Sequence, residues 1–483
     1  MKNKKSIGVN FLYNAFYNTM KLLFPLITIP YLSRVLLSDG LGKVNYAVNI
    51  VTWFLLFASL GIPRYGVREI AKNRKTKKDL NTTFSELFEI NFISTVICVL
   101  AYLILIFTIP FFRNKLLLYA VTGIQLVLNV FNVDWFYQGI EEYGYITKRS
   151  LFIKVISLIS MFLFVKTHDD YIIYAFIQSM AVVGNYFFNF YHLRKNISFV
   201  FTGLQLKKHI IPVFILFSTQ LSVNIYALLD TTMLGMMCSD SVVGYYSNVH
   251  KVISTICVLT ASLGGVMLPR LVQDISENNY SALEELVQKA KSVIIAMCLP
   301  ISVGLFLVSG DLVKVLFGFD FMPAIMTMRI FAPFVLISTI GNLYGTQLLM
   351  AFDKEKKLLA TVVIGAVINL CMNFFLIQKY QHNGAAIASV ITEFIVMVAQ
   401  IVVVKRIIKI AVNYAFIVKT IVSVTAMTIV VLLIQILVSN IYIRLILSVG
   451  FGALVYMFIG YILKSDGIRI VADFAFSKLN KQM

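Results

Sequence analysis

Residues 83–108 read TFSELFEINFISTVICVLAYLILIFT, and no charged residue occurs between Ile90 and Phe112. The hydrocarbon core of a bilayer takes roughly 20 consecutive apolar residues of a helix, and this stretch supplies them. In lipid every backbone N–H and C=O must be bonded within its own segment, so the stretch reads as helix. Outward from it the pattern recurs to give about fourteen spans, at 7–33, 42–62, 83–108, 114–137, 149–166, 170–192, 211–235, 243–267, 286–309, 324–349, 358–378, 383–404, 414–438 and 441–463. The fold class this implies is an all-α polytopic membrane protein.

Composition agrees. Of 483 residues, 59% are hydrophobic and 13% charged, about half the charge of a soluble domain. The alternating ten-residue segments of a membrane β-barrel are absent. A net charge of +19 reads as basic cytoplasmic loops, with no nucleic-acid partner. Cys98, Cys238, Cys257, Cys298 and Cys371 fall in or beside apolar segments without metal or disulfide spacing, and read as packing residues. Lys2, Lys4 and Lys5 precede an apolar run without a small-residue cleavage site, which reads as a retained first helix.

Loop charge orients the chain. Arg64, Arg68, Lys72, Arg74, Lys75, Lys77 and Lys78 fall between spans 2 and 3. Arg194, Lys195, Lys207 and Lys208 fall between spans 6 and 7, Lys405, Arg406 and Lys409 between 12 and 13, and Lys464, Arg469, Lys478 and Lys481 in the tail. The positive-inside rule then places both termini in the cytoplasm.

The chain also repeats itself. Leu37-Ser38-Asp39-Gly40-Leu41-Gly42 resembles Cys238-Ser239-Asp240-Ser241-Val242-Val243-Gly244, and the segment after Asn129 corresponds to the one after Asn342. Both matches are offset by six spans. An even offset predicts two six-helix lobes of like orientation, related by an axis along the membrane normal: 1–195 and 196–410. Two added helices (411–463) and a cytoplasmic tail (464–483) follow. Transporters with such repeats bind where the repeats meet.

Function is then sought in the polar residues kept at membrane depth. Asn10, Asn14, Asn18 and Lys21 share one helical face. A lysine inside a span is costly unless it lines water or pairs. Lys251 falls where Asn49 falls in the first repeat, and is the second lobe's candidate for a buried cation. Both lysines are expected in a wet cavity between the lobes, where they meet an anion; the plainer reading is an internal ion pair. Arg34, Arg64, Arg68 and Arg270 sit near span ends, as a rim or as interfacial residues. Asn14, Asn18, Asn49, Asn129, Gln220, Asn224 and Asn248 are the candidate polar lining. Asp230, Asp134 and Glu393 are candidates to bind a coupling H+ or Na+. Glu86 and Glu89 read as exposed at a span end. Lys154, Arg329 and Lys419 lack an evident partner. Pro25 and Pro30 remove backbone hydrogen bonds within span 1, as a hinge or a static bend. No phosphate loop, metal spacing or nucleophile elbow is present, so a transporter without cofactor is expected, not an enzyme.

Three segments carry a family resemblance. Asn14 through Pro25, Ile29-Pro30-Tyr31-Leu32-Ser33-Arg34 and Gly40-Leu41-Gly42 to Tyr46 are similar to the opening of Wzx-type polysaccharide flippases. So are Leu60-Gly61-Ile62-Pro63-Arg64-Tyr65-Gly66-Val67-Arg68-Glu69-Ile70-Ala71 and Asp134-Trp135-Phe136-Tyr137-Gln138-Gly139-Ile140-Glu141. These are the oligosaccharide flippases of the multidrug/oligosaccharidyl-lipid/polysaccharide exporter superfamily. The resemblance implies a bacterial inner-membrane protein that moves an undecaprenyl-pyrophosphate-linked oligosaccharide to the outer leaflet by alternating access, for capsule, O-antigen or a similar polymer. It implies pathway polymerases and glycosyltransferases as partners. The chemistry is compatible, because an unpaired diphosphate does not cross hydrocarbon unaided. A lipid II flippase and a multidrug/cation antiporter remain alternatives, as does a membrane polysaccharide polymerase or ligase. The short external loops weigh against the last.

Overall fold

The computed structural model describes residues 20, 24–25, 27–194, 197–265, 268–277, 279–408 and 414–469. Among them there is helix and no strand. Eight helical stretches among the described residues are long and apolar enough to cross a membrane, one of them Lys77–Thr108, which contains the opening segment. The chain is thus a multi-pass helical membrane protein, and it divides into two compact units.

The first unit comprises Met1–Gly235 with Ser239–Gly244. Its helices are α1 (27–35), α2 (Leu37–Ser59), α3 (Ile62–Asn73), α4 (Lys77–Thr108), α5 (Pro110–Arg113), α6 (Leu116–Val127), α7 (Asp134–Gly139), α8 (Tyr143–Phe164), α9 (Tyr171–Leu193) and α10 (Lys207–Met237). α10, placed in the second lobe by the repeat, folds with this unit. It runs antiparallel along α2. A Cβ on Gly61 would meet the Val213 carbonyl, and one on Gly235 would meet the Tyr46 ring.

The second unit comprises Met236–Cys238 and Tyr245–Met483. It holds most of α11 (Asp240–Gly265), then α12 (Leu268–Ser276), α13 (Tyr280–Phe317), α14 (Ala324–Phe331), α15 (Phe334–Asn342), α16 (Glu355–Lys405), α17 (Tyr414–Leu437) and α18 (Ile441–Ile462). α17 and α18 pack on α13 around Ala296, Val308, Met427 and Tyr456. The Tyr456 hydroxyl donates to the Ala296 carbonyl at 2.6 Å. At one end Arg444 of α18 grips both oxygens of Asp311, each at 2.6 Å.

Three local outcomes differ from the expected spans. The basic connection between spans 2 and 3 is itself a helix, α3. Its apolar residues Ile62, Tyr65 and Ile70 enter the core with Phe84, Trp135 and Phe136, while Arg64, Arg68 and Lys72 face out at helical spacing. Expected spans 358–378 and 383–404 are two helices as expected, but with almost no loop between them: they meet at a sharp break at Gln381 (φ 50°) and are labelled together here as α16. The break is tight: a Cβ on Gly384 would lie 2.1 Å from the Leu376 carbonyl oxygen. Third, the described part of span 1 stays helical across Pro30, and the chain turns at Leu36 and Leu37 (φ 56°).

The repeat extends further than the sequence matches. Ile62-Pro63-Arg64 opens α3, and Leu268-Pro269-Arg270 opens α12, each a short amphipathic helix after the second helix of its repeat. The fourth helix of each repeat is interrupted at its asparagine. A 3-10 turn, Leu128–Phe131, contains Asn129, and a π turn, Leu343–Leu349, follows Asn342. The carbonyl freed at Asn129 accepts from Asn132 N–H at 2.9 Å and from Asn91 Nδ2 at 3.4 Å. Irregular backbone at membrane depth is tolerable when buried and rebonded in this way.

Candidate functional site

The sequence candidates fall into three groups. Lys21, Asn14 and Asn18 lie outside the described residues, as does the side chain of Asn224. A second group is exposed near helix ends: Arg34, whose Nη1 donates to the Pro30 carbonyl at 2.5 Å, Arg64, Arg68 and Arg270. Arg68 lies over the Tyr65 ring at 5.3 Å and 3.5 Å from Glu69.

The third group is inside. Asn49 is buried, and its Nδ2 donates to Thr232 Oγ1 at 2.8 Å and to the Leu228 carbonyl at 3.3 Å. Trp53 Nε1 donates to the same hydroxyl at 3.0 Å. Asp230, on the turn of α10 between Leu228 and Thr232, is buried. Asn129 is buried, accepts from Ser59 and donates to Thr95 at 3.2 Å each. Gln220 is half-buried on α10.

In the second unit, Asn248 is buried and Lys251 half-buried one helical turn on, beside His250, which stacks on Tyr246 at 5.9 Å. Ser254 and Thr255 donate to the Lys251 carbonyl, so those hydroxyls are satisfied within α11. Glu393 is half-buried and hydrogen-bonded to Ser338. Arg329 donates to Ser309 Oγ at 3.0 Å and lies over the Phe306 ring; Lys154 lies over the Phe24 ring, and Lys419 reaches the Lys464 carbonyl. These contacts answer how such cations are tolerated.

Two buried ionic networks escaped the sequence reading. Asp134 is held by Arg149, a residue at the edge of an expected span. Nη2 of Arg149 donates to Asp134 Oδ1 at 2.9 Å, Nε donates to Asn185 at 3.0 Å, and Nη1 donates to Asn189. Asn189 Nδ2 also donates to Asp134 Oδ1, at 2.6 Å. α7, α8 and α9 are joined by this one guanidinium.

The second network corrects the reading of Glu86, which is fully buried. Its carboxylate accepts from Gln205 N–H at 2.8 Å and from Lys208 Nζ, and lies 2.9 Å from His209 Nε2. His209 Nδ1 lies 2.8 Å from the Tyr65 hydroxyl. α3, α4 and the first turn of α10 thus meet on one carboxylate. Removing a charged acceptor leaves its donors poorly satisfied. Glu86→Gln is therefore expected to lower stability by about 1–3 kcal/mol, read as thermal unfolding of the purified protein. Tyr65→Phe, which deletes one neutral hydroxyl, should cost about 1 kcal/mol.

The sequence pattern of a family described as "Polysaccharide biosynthesis protein" matches residues 7–275. The chain is 22% identical over 397 residues to the putative O-antigen transporter of Escherichia coli (strain K12), covering 82% of this chain and 95% of the relative. Its fold matches that of a lipid II flippase MurJ in an inward closed conformation with a TM-score of 0.73 at 16% identity, over 94% of this chain and 99% of that one. It also matches an inward-facing MATE family multidrug transporter of the MOP superfamily, with a TM-score of 0.60 at 14% identity, over 80% and 97% of the two chains. At those identities the two structural likenesses establish the fold.

Proposed function

We propose that this chain, which belongs to the polysaccharide biosynthesis protein family, is a flippase that carries lipid-linked oligosaccharides across a bilayer. The observation that carries this reading is the family match over 7–275 on a multi-pass helical membrane fold. The cargo is an oligosaccharide on a polyprenyl diphosphate, moved from the cytoplasmic to the outer leaflet of a bacterial inner membrane by alternating access. Both termini are cytoplasmic, and the product passes to a polymerase of the same pathway.

The chemistry assigns roles. A diphosphate leaving water loses solvation that only fixed counter-charge replaces. Lys251, half-buried on α11, supplies it as a point charge, and Lys21 does so on the first span. Asn248 and Gln220 offer donors and acceptors to sugar hydroxyls. Arg34, Arg64, Arg68 and Arg270 gather the anionic headgroup at the mouth of the path. Asp230 and Glu393 are the carboxylates for a coupling H+ or Na+. Asp134 is set aside from that role, because Arg149 already holds it.

Reconstituted protein should move a fluorescent lipid-linked oligosaccharide across vesicles. Lys251→Ala should reduce the rate about tenfold or more, the effect of one lost charge-assisted contact, and Lys251→Arg should retain most of it. No translocation above empty vesicles refutes the reading. A second reading, lipid II as cargo, draws on the likeness to the lipid II flippase fold. Competition between the two cargoes in one vesicle preparation separates them.

A further inference from the structure

The two repeats build the same short amphipathic helix and load it with opposite charge. Residues 62–78, α3 and the turn that follows, hold seven cations and one anion, Glu69. Residues 268–284, α12 and the turn after it, hold one cation, Arg270, and three anions, Asp274, Glu277 and Glu284. The fold therefore needs an amphipathic connector at this place but does not need it basic. Beyond orienting the chain by the positive-inside rule, the excess of positive charge on α3 leaves room for a second cause.

Geometry supplies one. Only Leu60 and Gly61 separate α3 from the end of α2 at Ser59, and α4 starts at Lys77, so both ends of the segment are tied to membrane-crossing stretches. It therefore lies along the boundary where those helices leave the hydrocarbon. Its apolar face is occupied: Ile62, Tyr65 and Ile70 are buried in the core, and Gly66 lets α3 sit against the Trp135 ring, where a Cβ would come within 2.5 Å. With that face used, the helix does not insert into lipid, and its outer face is left for the headgroup layer. Arg64, Arg68, Ala71, Lys72, Arg74, Lys75, Lys77 and Lys78 are all exposed there.

Internal pairing removes only part of the charge. Glu69 takes Lys72 at 3.0 Å and Arg68 at 3.5 Å, and Glu141 takes Arg74 at 2.9 Å. Arg64, Lys75, Lys77 and Lys78 make no ion pair among the described residues. We infer that α3 and residues 74–78 form a docking strip for anionic phospholipid headgroups, with Arg64, Lys75, Lys77 and Lys78 as the contacting cations. A cluster of basic residues immediately beside a span, at headgroup depth, attracts acidic lipid in proportion to the number of charges. The inference concerns the bulk lipid around the first unit; Arg64 is the one contacting residue it shares with the cargo path proposed above, and the cargo competition below tells the two apart.

Spin-labelled phosphatidylglycerol and phosphatidylcholine, compared on the full chain in phosphatidylcholine bilayers, test it. The protein should select the anionic label about fivefold or more, falling towards parity near 1 M salt, where the Debye length shrinks to about 3 Å. The fourfold variant Arg64→Gln, Lys75→Gln, Lys77→Gln, Lys78→Gln should lose most of the selectivity. It leaves the buried face of α3 intact, so helix content and thermal unfolding serve as its folding control. Arg270→Gln, on the equivalent helix of the other repeat, should keep it. Selectivity that survives the fourfold change, or that is indifferent to salt, overturns the inference. So does selectivity erased by a stoichiometric amount of polyprenyl diphosphate, which would assign the strip to the cargo.

Discussion

Replacing Arg149 by leucine should destabilise the protein by about 3 kcal/mol, the low end of what removing one partner of a buried ion pair costs, because Arg149 is buried but the Asp134 carboxylate it leaves behind is half-buried. Arg149 is 6% exposed. Its guanidinium satisfies groups on three helices at once: Asp134 on α7, Ser150 on its own helix, and Asn185 and Asn189 on α9. A leucine fills a similar volume but leaves the Asp134 carboxylate with Asn189 Nδ2 as its remaining donor in this network. It also leaves the Asn185 oxygen with only the Ser150 hydroxyl. Lysine should recover a minority of the loss, because an ammonium keeps the charge but cannot present the planar fork that reaches α7 and α9 together. The double change Arg149→Leu with Asp134→Asn should be milder than Arg149→Leu alone, since no uncompensated charge is then buried. Thermal unfolding in one detergent orders the three. If Arg149→Leu unfolds within about 1 kcal/mol of the parent, the network is ornamental and Asp134 is open to another role.

That network also shows what the sequence could and could not convey. Spans declare themselves by length and apolarity, which are local. The repeat declared itself through Ser-Asp motifs and through Asn129 and Asn342, at the points where backbone geometry is most constrained. Partners did not declare themselves. Glu86 read as an exposed acid because the groups that hold it, Gln205, Lys208 and His209, are some 120 residues away. Asp311 and Arg444 are as distant from each other, and nothing short of the packing of α13 on α18 pairs them. α3 is an intermediate case. Its dense charge pointed to a loop, yet Arg64, Arg68 and Lys72 at four-residue spacing, with Ile62, Tyr65 and Ile70 on the other side, already spelled an amphipathic helix. Lys251 is half-buried on α11, and its burial alone does not distinguish a cavity cation from a packed one.

Gly42→Ala should cost nearly as much as Gly42→Val, about 3 kcal/mol or more, because the first carbon alone is what cannot fit. A Cβ at Gly42 would lie 1.7 Å from the Asp240 carbonyl oxygen and 2.5 Å from its carbon. Those are backbone atoms at the start of α11, and they have no rotamer to change. The contact is reciprocal. A Cβ on Gly244 would lie 2.1 Å from the Ser38 carbonyl oxygen, and Ser38 and Gly42 stand to each other as Asp240 and Gly244 do. The matched motifs thus interlock through their own glycines within the first unit, about a local two-fold relation. Lys115 pins the same place, its Nζ 2.6 Å from Asp240 Oδ2. Separating α2 from the start of α11 by the ångström or more that a methyl needs would loosen both glycine contacts together, so Gly42→Ala and Gly244→Ala combined should cost less than the sum of the two. Gly304 on α13 is the comparator, with nothing within 4 Å of its would-be Cβ. Gly304→Ala should be neutral or stabilising by up to about 1 kcal/mol, the difference in helix propensity. Thermal unfolding of the parent, Gly42→Ala, Gly42→Val, Gly244→Ala, the double variant and Gly304→Ala decides it, and additive losses at 42 and 244, or a Gly42→Ala protein as stable as Gly304→Ala, would show that the motifs do not interlock.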